Sequence, residues 1–254
     1  MFPQISFRKA GLVSSIVLTT LLSGQTLSAQ EQSPEEKKAF DEAVREYILT
    51  NPEVIIQSLT RYQEMQALRE EEAKQRAVAD SKDELHNAPD SPVLGNPDGD
   101  VVLVEFFDYR CPYCHKASAT IQALIEDDPN LKVVMKEFPI LSPESTIAAR
   151  AALAANKQGK YAEFHFALMD SPQDLSQNRL RALADNLDMD LDQFSADMKS
   201  PETGASILRV RQLAQRIGAN ETPAFVVGTQ SVSPGTSFEA FKQIIANIRA
   251  NKQS

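Results

Sequence analysis

The only two cysteines of this 254-residue chain lie three positions apart, as Cys111-Pro-Tyr-Cys114. An apolar run, residues 101–107, precedes them, and a segment with helical character, residues 116–126, follows. A cysteine at a helix start is stabilised as a thiolate by free backbone N–H groups and by the helix dipole. Cys111 is therefore the predicted nucleophile towards disulfides, and Cys114, one turn later, is the predicted resolving thiol. Pro112 suits the first helical position and stiffens the turn.

Three other uses of the cysteine pair stay open at this stage. A structural disulfide is permitted in an exported chain, although so short a loop constrains little of the unfolded state. Zinc requires a tetrahedral ligand set, and only His86, His115 and His165 could add to the thiols. Cys111-x-x-Cys114-His115 is also formally the c-type haem attachment pattern, which is unexpected after a buried strand.

Glu105 is the one charged residue inside the apolar run 101–107. A buried carboxyl there would have a raised pKa and could move a proton to or from Cys114 during thiol exchange, so we count Glu105 among the candidate catalytic residues. The alternative is a solvent-facing glutamate, since lone carboxylates are mostly exposed.

Thr222-Pro223 directly precedes a second apolar segment, residues 224–227. A proline in this place is compatible with a cis peptide bond, which is rare and purposeful. It is equally compatible with a trans proline at a sheet edge.

The hydrophobic pattern places the cysteines between a strand and a helix. Residues 101–107 predict a buried strand, because their apolar run is nearly continuous and rich in valine and phenylalanine. Residues 112–126 predict a helix and residues 131–138 a second strand. Strand, helix and strand of these lengths predict a βαβ unit with parallel strands.

The rest of the chain predicts a helical block and a short closing unit. Helical periodicity recurs at 146–157, 161–169, 177–187 and 202–217, which predicts a helical subdomain at about 142–218. Two short strands, 224–227 and 230–232, and an amphipathic helix, 238–248, then end the chain.

Residues 1–29 have the order of a secretory signal peptide: basic Arg8 and Lys9, an uncharged segment, then small residues. The uncharged segment is short for a membrane span of about 20 residues, although an uncleaved N-terminal anchor is an alternative. Cleavage removes two basic residues and no acidic ones, so the formal net charge changes from −9 to −11. An acidic chain without a basic patch argues against a nucleic-acid partner. Export to an oxidising space permits disulfide chemistry.

Residues 30–88 predict two amphipathic helices and a charged linker. The first helix begins with a capping box at Ser33 and Glu36, and Asn51-Pro52 restarts the pattern. Large apolar residues mark one stripe on each helix: Phe40, Val44, Tyr47 and Ile48, then Ile55, Leu59, Tyr62, Met65 and Leu68. A single stripe cannot form a core alone, so we expect self-association, with docking on the same chain as the alternative.

Two further segments complete the predicted organisation of the N-terminal half. Seven of the twelve residues 69–80 are charged, which is typical of a solvated helical linker. Residues 87–100 are rich in proline and glycine and predict a domain boundary, so that a catalytic domain occupies residues 89–254.

The βαβ unit with Cys111-Pro-Tyr-Cys114 and the later Thr222-Pro223-Ala-Phe together resemble a thioredoxin fold. The 109 positions from Cys114 to Pro223 match the DsbA-like branch, which carries a helical insertion there. The resemblance spans residues 89–254 and implies an α/β thioredoxin fold with an inserted helical subdomain. It also implies that Pro223 is cis and lies beside the cysteines as part of the catalytic site, and that the Thr222 backbone pairs with a bound peptide.

The segment 44–56 resembles the N-terminal region of the suppressor-of-copper-sensitivity protein C (ScsC) group, to which Com1-like outer-membrane-associated proteins are related. In trimeric members of that group, N-terminal helices assemble three catalytic domains around a stalk. The resemblance therefore implies that residues 30–88 form an N-terminal α-helical oligomerisation region. It implies a homo-oligomer, for which a trimer is the candidate number.

One departure from DsbA bears on the direction of electron flow. DsbA has histidine at the position of Tyr113 and valine at that of Thr222. Loss of a histidine that favours the thiolate predicts a weaker oxidant. The resemblance thus implies a periplasmic disulfide isomerase or reductase, with Pro112, Tyr113 and Thr222 contacting substrate.

The implied protein is a periplasmic thiol-disulfide oxidoreductase of the isomerase or reductase type, associated with the cell envelope if it follows the Com1-like proteins. Its redox centre is the Cys111–Cys114 disulfide, with no other cofactor and no bound metal. Its expected partners are unfolded or misoxidised exported proteins and a DsbD-like or DsbB-like membrane redox protein. The alternatives are a dithiol oxidase and, in a different class, a copper-binding or chaperone protein of the envelope whose thiols take Cu(I).

Overall fold

The computed structural model describes residues 33–170 and 174–252. The predicted signal peptide at residues 1–29 lies outside the described residues. The chain divides into two compact units, of which the first ends at Thr60 and the second begins at Arg61. Within the described ranges, no helix is long and apolar enough to cross a membrane.

The first unit contains helix α1 (Pro34–Thr50) and the beginning of α2 (Glu53–Asp80). The predicted capping box is present: Ser33 Oγ accepts from the Glu36 N–H at 3.2 Å, and the Glu36 carboxylate accepts from the Ser33 N–H at 2.8 Å. No residue of α1 is buried. Apart from the half-buried Ile48, the large apolar side chains of this unit are exposed: Phe40, Val44, Tyr47, Leu49, Val54, Ile55, Ile56 and Leu59.

The second unit begins with the charged part of α2, which is helical as predicted and buries only Val78. Helix α3 (Lys82–Asn87) follows. The segment 87–100, where only turns were expected, contains strand β1 (Val93–Gly95). This three-residue strand is too short to show an alternating pattern in the sequence. It forms through antiparallel pairing with a strand that lies much later in the chain.

Four further strands complete one five-stranded sheet: β2 (Val101–Phe107), β3 (Leu131–Glu137), β4 (Ala224–Val227) and β5 (Gln230–Val232). The strand order is β1-β3-β2-β4-β5. Strands β2 and β3 are parallel, as the βαβ pattern predicted, and β4 pairs antiparallel with β2. The apolar run of β2 is explained by its central position, because both of its faces are covered.

Helix α4 (Pro112–Asp127) connects β2 to β3 and begins at the cysteine pair. Between β3 and β4 the chain forms the predicted helical subdomain, with α5 (Pro143–Lys157), α6 (Tyr161–Asp170), α7 (Gln177–Asn186), α8 (Leu191–Lys199) and α9 (Pro201–Ile217). Helix α10 (Phe238–Asn251) closes the chain. The observed α/β fold with a helical insertion confirms the expected fold class.

Among the described helices of this subdomain, α8 is the one that the periodicity did not indicate. It has only nine residues, and Asp190 caps it by accepting hydrogen bonds from the N–H groups of Asp192 and Gln193 at 3.0 and 2.9 Å. So short a helix depends on packing, which Phe194 supplies from its buried position against Phe164 of α6.

Candidate active site

The first cysteine occupies the start of α4, as its sequence position predicted. Cys111 is the N-cap residue and Pro112 stands in the first turn. The Cys111 N–H donates to the Asp108 carbonyl at 3.0 Å, and the Cys111 carbonyl accepts from the His115 N–H at 3.2 Å. Both cysteines are free thiols and both are buried. Cys111 keeps 3% of its surface exposed, whereas Cys114 has none.

The Thr222–Pro223 segment lies beside the first cysteine. The peptide bond between Thr222 and Pro223 is cis, so the trans alternative is wrong. The Cys111 thiol donates to the Thr222 carbonyl oxygen at 3.1 Å. Residues separated by 111 positions in the sequence are therefore in direct contact at this site.

Glu105 is buried inside β2, with 2% of its surface exposed, so the solvent-facing alternative is wrong. Its Oε1 atom has no hydrogen-bond partner among the described residues. Burial raises the pKa of Glu105 to about 8, because the charged carboxylate loses its hydration. The carboxyl group is therefore available to hold or accept a proton near neutral pH.

The second thiol lies in the same buried environment. Burial raises the pKa of Cys114 well above its ordinary value, and the charges of Glu105 and then of Cys111 raise it further. The Asp108 backbone acts in the opposite direction. Cys114 thus holds its proton firmly, and Glu105 is the carboxyl group placed to affect that proton.

The two residues between the cysteines face outward. Pro112 is exposed, and Tyr113 has 67% of its surface exposed. The Lys116 ammonium lies 5.7 Å from the centre of the Tyr113 ring. A cavity of about 190 Å³ opens here, and its lining includes Tyr113, Lys116, Phe225 and Phe241. The exposed Tyr113 ring thus forms part of the wall of a cavity whose lining also includes the largely buried rings of Phe225 and Phe241.

Asp108 is a residue of this site that the sequence reasoning missed. Its Oδ1 atom accepts from the Arg110 N–H at 2.7 Å, and its Oδ2 atom accepts from the N–H groups of Ile140 and Leu141 at 2.8 and 2.9 Å. One buried carboxylate thus fixes the loop before Cys111 to the loop after β3. The signal available in the sequence was an aspartate directly after an apolar strand, where such residues order turns.

A buried polar network below this loop was also missed. The hydroxyl groups of Tyr109 and Tyr161 donate to Glu137 Oε1 at 3.1 and 2.9 Å. The Tyr109 hydroxyl also lies 3.1 Å from His165 Nδ1. Burial, and then the charge of His115, lower the pKa of His165 to about 3, and burial raises the pKa of Glu137. The network joins the loop, β3 and α6. No spacing of these residues in the sequence predicts it.

The three histidines do not converge on the cysteines as a ligand set. His86 Nε2 lies 2.7 Å from the Gly228 carbonyl oxygen, and His165 belongs to the buried network. His115 has Nδ1 2.7 Å from the Met169 carbonyl oxygen and Nε2 2.9 Å from that of Tyr109. In the described part of the chain, no group of three His, Cys, Asp or Glu side chains is arranged to hold a metal ion.

Two family profiles match the chain. The profile described as "DSBA-like thioredoxin domain" matches residues 102–246. The profile described as "Copper resistance protein ScsC N-terminal domain" matches residues 36–75. Together they cover the site, the helical subdomain and the amphipathic N-terminal helices.

Two solved structures are similar over most of their own length. A thioredoxin-like oxidoreductase from Silicibacter pomeroyi is 44% identical with a TM-score of 0.63, covering 66% of this chain and 97% of that one. BcfH from Salmonella enterica Typhimurium is 26% identical with a TM-score of 0.67, covering 84% and 95%.

A curated relative shares only a segment with this chain. The Na(+)/H(+) antiporter NhaA 1 of Salinispora arenicola is 29% identical over 160 residues, which are 62% of this chain. The chain spans 24% of that antiporter. The likeness therefore concerns about a quarter of the antiporter.

Proposed function

Since this chain belongs to the DSBA-like thioredoxin family of thiol-disulfide oxidoreductases, we propose that it is a disulfide isomerase or reductase that acts on misoxidised exported proteins. The observation that carries the proposal is the contact of the Cys111 thiol with the Thr222 carbonyl, at the start of α4 and with Cys114 buried behind it. This arrangement places Cys111 beside the segment proposed to bind substrate and keeps Cys114, which has no exposed surface, for the second step.

The first step is attack of the Cys111 thiolate on one sulfur of a substrate disulfide. The substrate S–S bond breaks, a Cys111–substrate disulfide forms, and the second substrate sulfur leaves as a thiolate. In isomerisation, that thiolate attacks another substrate disulfide, and a substrate thiolate finally displaces Cys111. No net electrons are exchanged in this cycle.

In reduction, the second step is attack of Cys114 on the sulfur of Cys111. The substrate leaves as a thiolate, and the Cys111–Cys114 disulfide forms, so two electrons pass to the substrate. Cys114 must lose its proton for this attack. Glu105 is the proposed acceptor, because its pKa of about 8 lets an ionised fraction exist at neutral pH.

We assign substrate contact to the surface around Cys111. A bound peptide would pair with the Thr222 backbone, beside Pro223, and would lie against Pro112 and Tyr113. The aromatic cavity next to Tyr113 offers apolar contact to side chains of an unfolded substrate. Unfolded or misoxidised proteins expose such side chains, whereas correctly folded ones bury them.

The choice of isomerase over oxidase rests on two features. Tyr113 and Thr222 replace the histidine and valine found in DsbA, which favours a less oxidising pair. The ScsC N-terminal domain supports assembly of several copies, because its large apolar side chains are exposed within the first unit. Several cysteine pairs facing one substrate would favour repeated exchange. We propose a homo-oligomer, with a trimer as the candidate number.

The proposed place of action is the periplasm, after export through the signal peptide at residues 1–29. An oxidising compartment supplies the misoxidised substrates. A membrane redox protein of the DsbD type would keep the pair reduced for isomerisation, whereas one of the DsbB type would keep an oxidase oxidised.

Scrambled ribonuclease distinguishes the candidate functions. The mature protein, kept reduced, is added to ribonuclease that contains wrong disulfides, and recovered ribonuclease activity is measured. Recovery supports the isomerase, whereas oxidation of reduced ribonuclease without correction of wrong disulfides supports a dithiol oxidase. Absence of any disulfide exchange together with stoichiometric Cu(I) binding by the two thiols would contradict the proposal in favour of a copper-binding protein.

A further inference from the structure

The ring of His115 lies between two backbone carbonyl groups that belong to different parts of the fold. Its Nδ1 atom is 2.7 Å from the carbonyl oxygen of Met169, in α6. Its Nε2 atom is 2.9 Å from the carbonyl oxygen of Tyr109, in the loop before Cys111. Both distances are those of good hydrogen bonds. The half-buried ring therefore joins the helical subdomain to the loop that carries the nucleophile.

A carbonyl oxygen can only accept a hydrogen bond, so each ring nitrogen of His115 must donate. A neutral imidazole carries one N–H and can satisfy one of the two carbonyl groups. Its other nitrogen would then direct a lone pair at the second oxygen, at hydrogen-bond distance. Only the imidazolium form, with hydrogen on both nitrogens, makes both contacts favourable.

The other two histidines differ in this respect. His86 has a single carbonyl contact, from Nε2 to Gly228. His165 contacts the Tyr109 hydroxyl through Nδ1, and a hydroxyl group can donate or accept. A neutral ring satisfies each of these contacts. Burial lowers the pKa values of both histidines, most strongly that of His165.

We propose that His115 is a doubly protonated positioning residue, which fixes the loop before Cys111 against α6 and places a positive charge beside the cysteine pair. This inference rests on the proposed function. The ring is adjacent in sequence to Cys114 and one helical turn from Cys111. A positive charge near a cysteine favours its thiolate.

The ionisable groups next to His115 come from each element that holds it. Tyr109 lies in the loop, His165 lies on α6, and Cys114 lies on its own helix. Tyr109 and His165 are hydrogen-bonded to each other, and His165 is neutral. The nearest carboxyl groups of these elements have other partners: Asp108 accepts from the N–H groups of Arg110, Ile140 and Leu141, and Glu137 accepts from the Tyr109 and Tyr161 hydroxyl groups.

The direct test reads the protonation of the ring without any substitution. Long-range proton–nitrogen NMR spectra of the reduced, 15N-labelled mature protein at pH 7 give separate signals for the three histidines. We expect one imidazolium pattern and two neutral patterns, and the signal lost in the His115→Gln variant identifies the imidazolium. A neutral tautomer for His115 at pH 7 would overturn the proposal, whatever the redox activity of the protein.

The second test reads the effect on the thiols. The fraction of Cys111 thiolate, measured by absorbance at 240 nm, should fall roughly threefold or more at pH 6 in His115→Gln, because one unit charge is lost nearby. His115→Arg keeps the charge and offers several N–H donors, so it should stay close to the unsubstituted protein. His86→Gln is the matched control and should cause no change.

These measurements separate the two proposals from each other. Equal thiolate fractions in His115→Gln, His115→Arg and the unsubstituted protein would contradict the electrostatic role, even with an imidazolium seen by NMR. Loss of exchange with scrambled ribonuclease in the unsubstituted protein would instead contradict the proposed function and leave the NMR result standing.

Discussion

The Cys111 thiol donates a hydrogen bond to the carbonyl oxygen of Thr222, 3.1 Å away and 111 positions later in the chain. One partner is held by the start of a helix, and the other by the turn before β4, which pairs with the central strand β2. The contact joins the thiol proposed to attack a disulfide to the backbone proposed to receive the peptide. Substrate binding and chemistry would therefore share one small surface.

The two cysteines should have different roles when each is substituted. Cys111→Ser should abolish reduction of insulin disulfides, because the attacking sulfur is lost. Cys114→Ser should still form a mixed disulfide with the substrate but fail to release it, which mass spectrometry of the trapped adduct would detect. Adduct formation by Cys111→Ser and not by Cys114→Ser would reverse the assignment.

Glu105→Gln should slow the step in which Cys114 attacks Cys111. Glutamine has the same shape but cannot accept the Cys114 proton. We therefore expect the rate of this step, measured in single-turnover reduction, to fall by about tenfold or more. Glutamate accepts a proton only when ionised, so the rate should rise towards pH 8 in the unsubstituted protein and not in the variant. Glu126→Gln, at an exposed position of α4, is the control and should change neither.

The same carboxyl group should make stability depend on pH. Burial raises the folded-state pKa of Glu105 from 4.5 to about 8, so the unfolded chain loses its proton first as pH rises. The free energy of unfolding should therefore fall between pH 4.5 and about 8, by roughly 3–5 kcal/mol in total. Urea unfolding at several pH values should show a smaller decrease in Glu105→Gln. An equal decrease in both proteins would contradict the buried carboxyl as its source.

Tyr109→Phe should destabilise the fold through the buried network. It removes the hydroxyl that contacts both Glu137 and His165, and a lost hydrogen bond to a buried polar group costs about 1–3 kcal/mol. Tyr113→Phe removes the same atom from an exposed side chain and should leave the free energy of unfolding within about 0.5 kcal/mol. Thermal or urea unfolding of both variants makes the comparison.

Ile55→Glu should weaken the proposed assembly. Ile55 is an exposed apolar residue of the first unit, and a charge in an apolar interface is costly to bury. Light scattering with size-exclusion chromatography of the mature protein should give a lower mass for this variant. Gln57→Glu adds the same charge at a polar position of the same helix and should keep the mass unchanged. A monomer in the unsubstituted protein would contradict the assembly itself.

The two hydrogen bonds of the His115 ring and the buried network around Glu137 illustrate what a sequence pattern does not contain. Cys111, Pro112 and Cys114 were assigned to a helix start by local spacing, and the structure places them there. The contacts that Asp108, Tyr109 and His115 make could not be predicted in the same way. Their partners, such as Ile140 and Met169, are distant in sequence and contribute backbone atoms, which every residue type carries.

The sequence alone determined the elements whose pattern is local. The apolar run of β2, the periodic helices and the capping box at Ser33 each follow from residues within a few positions of one another. Tertiary structure alone decided which alternative held wherever two distant segments meet. It buried Glu105 between β3 and β4, gave β1 its partner, and set Thr222 beside Cys111, because burial and pairing are properties of the packed chain and not of any one segment.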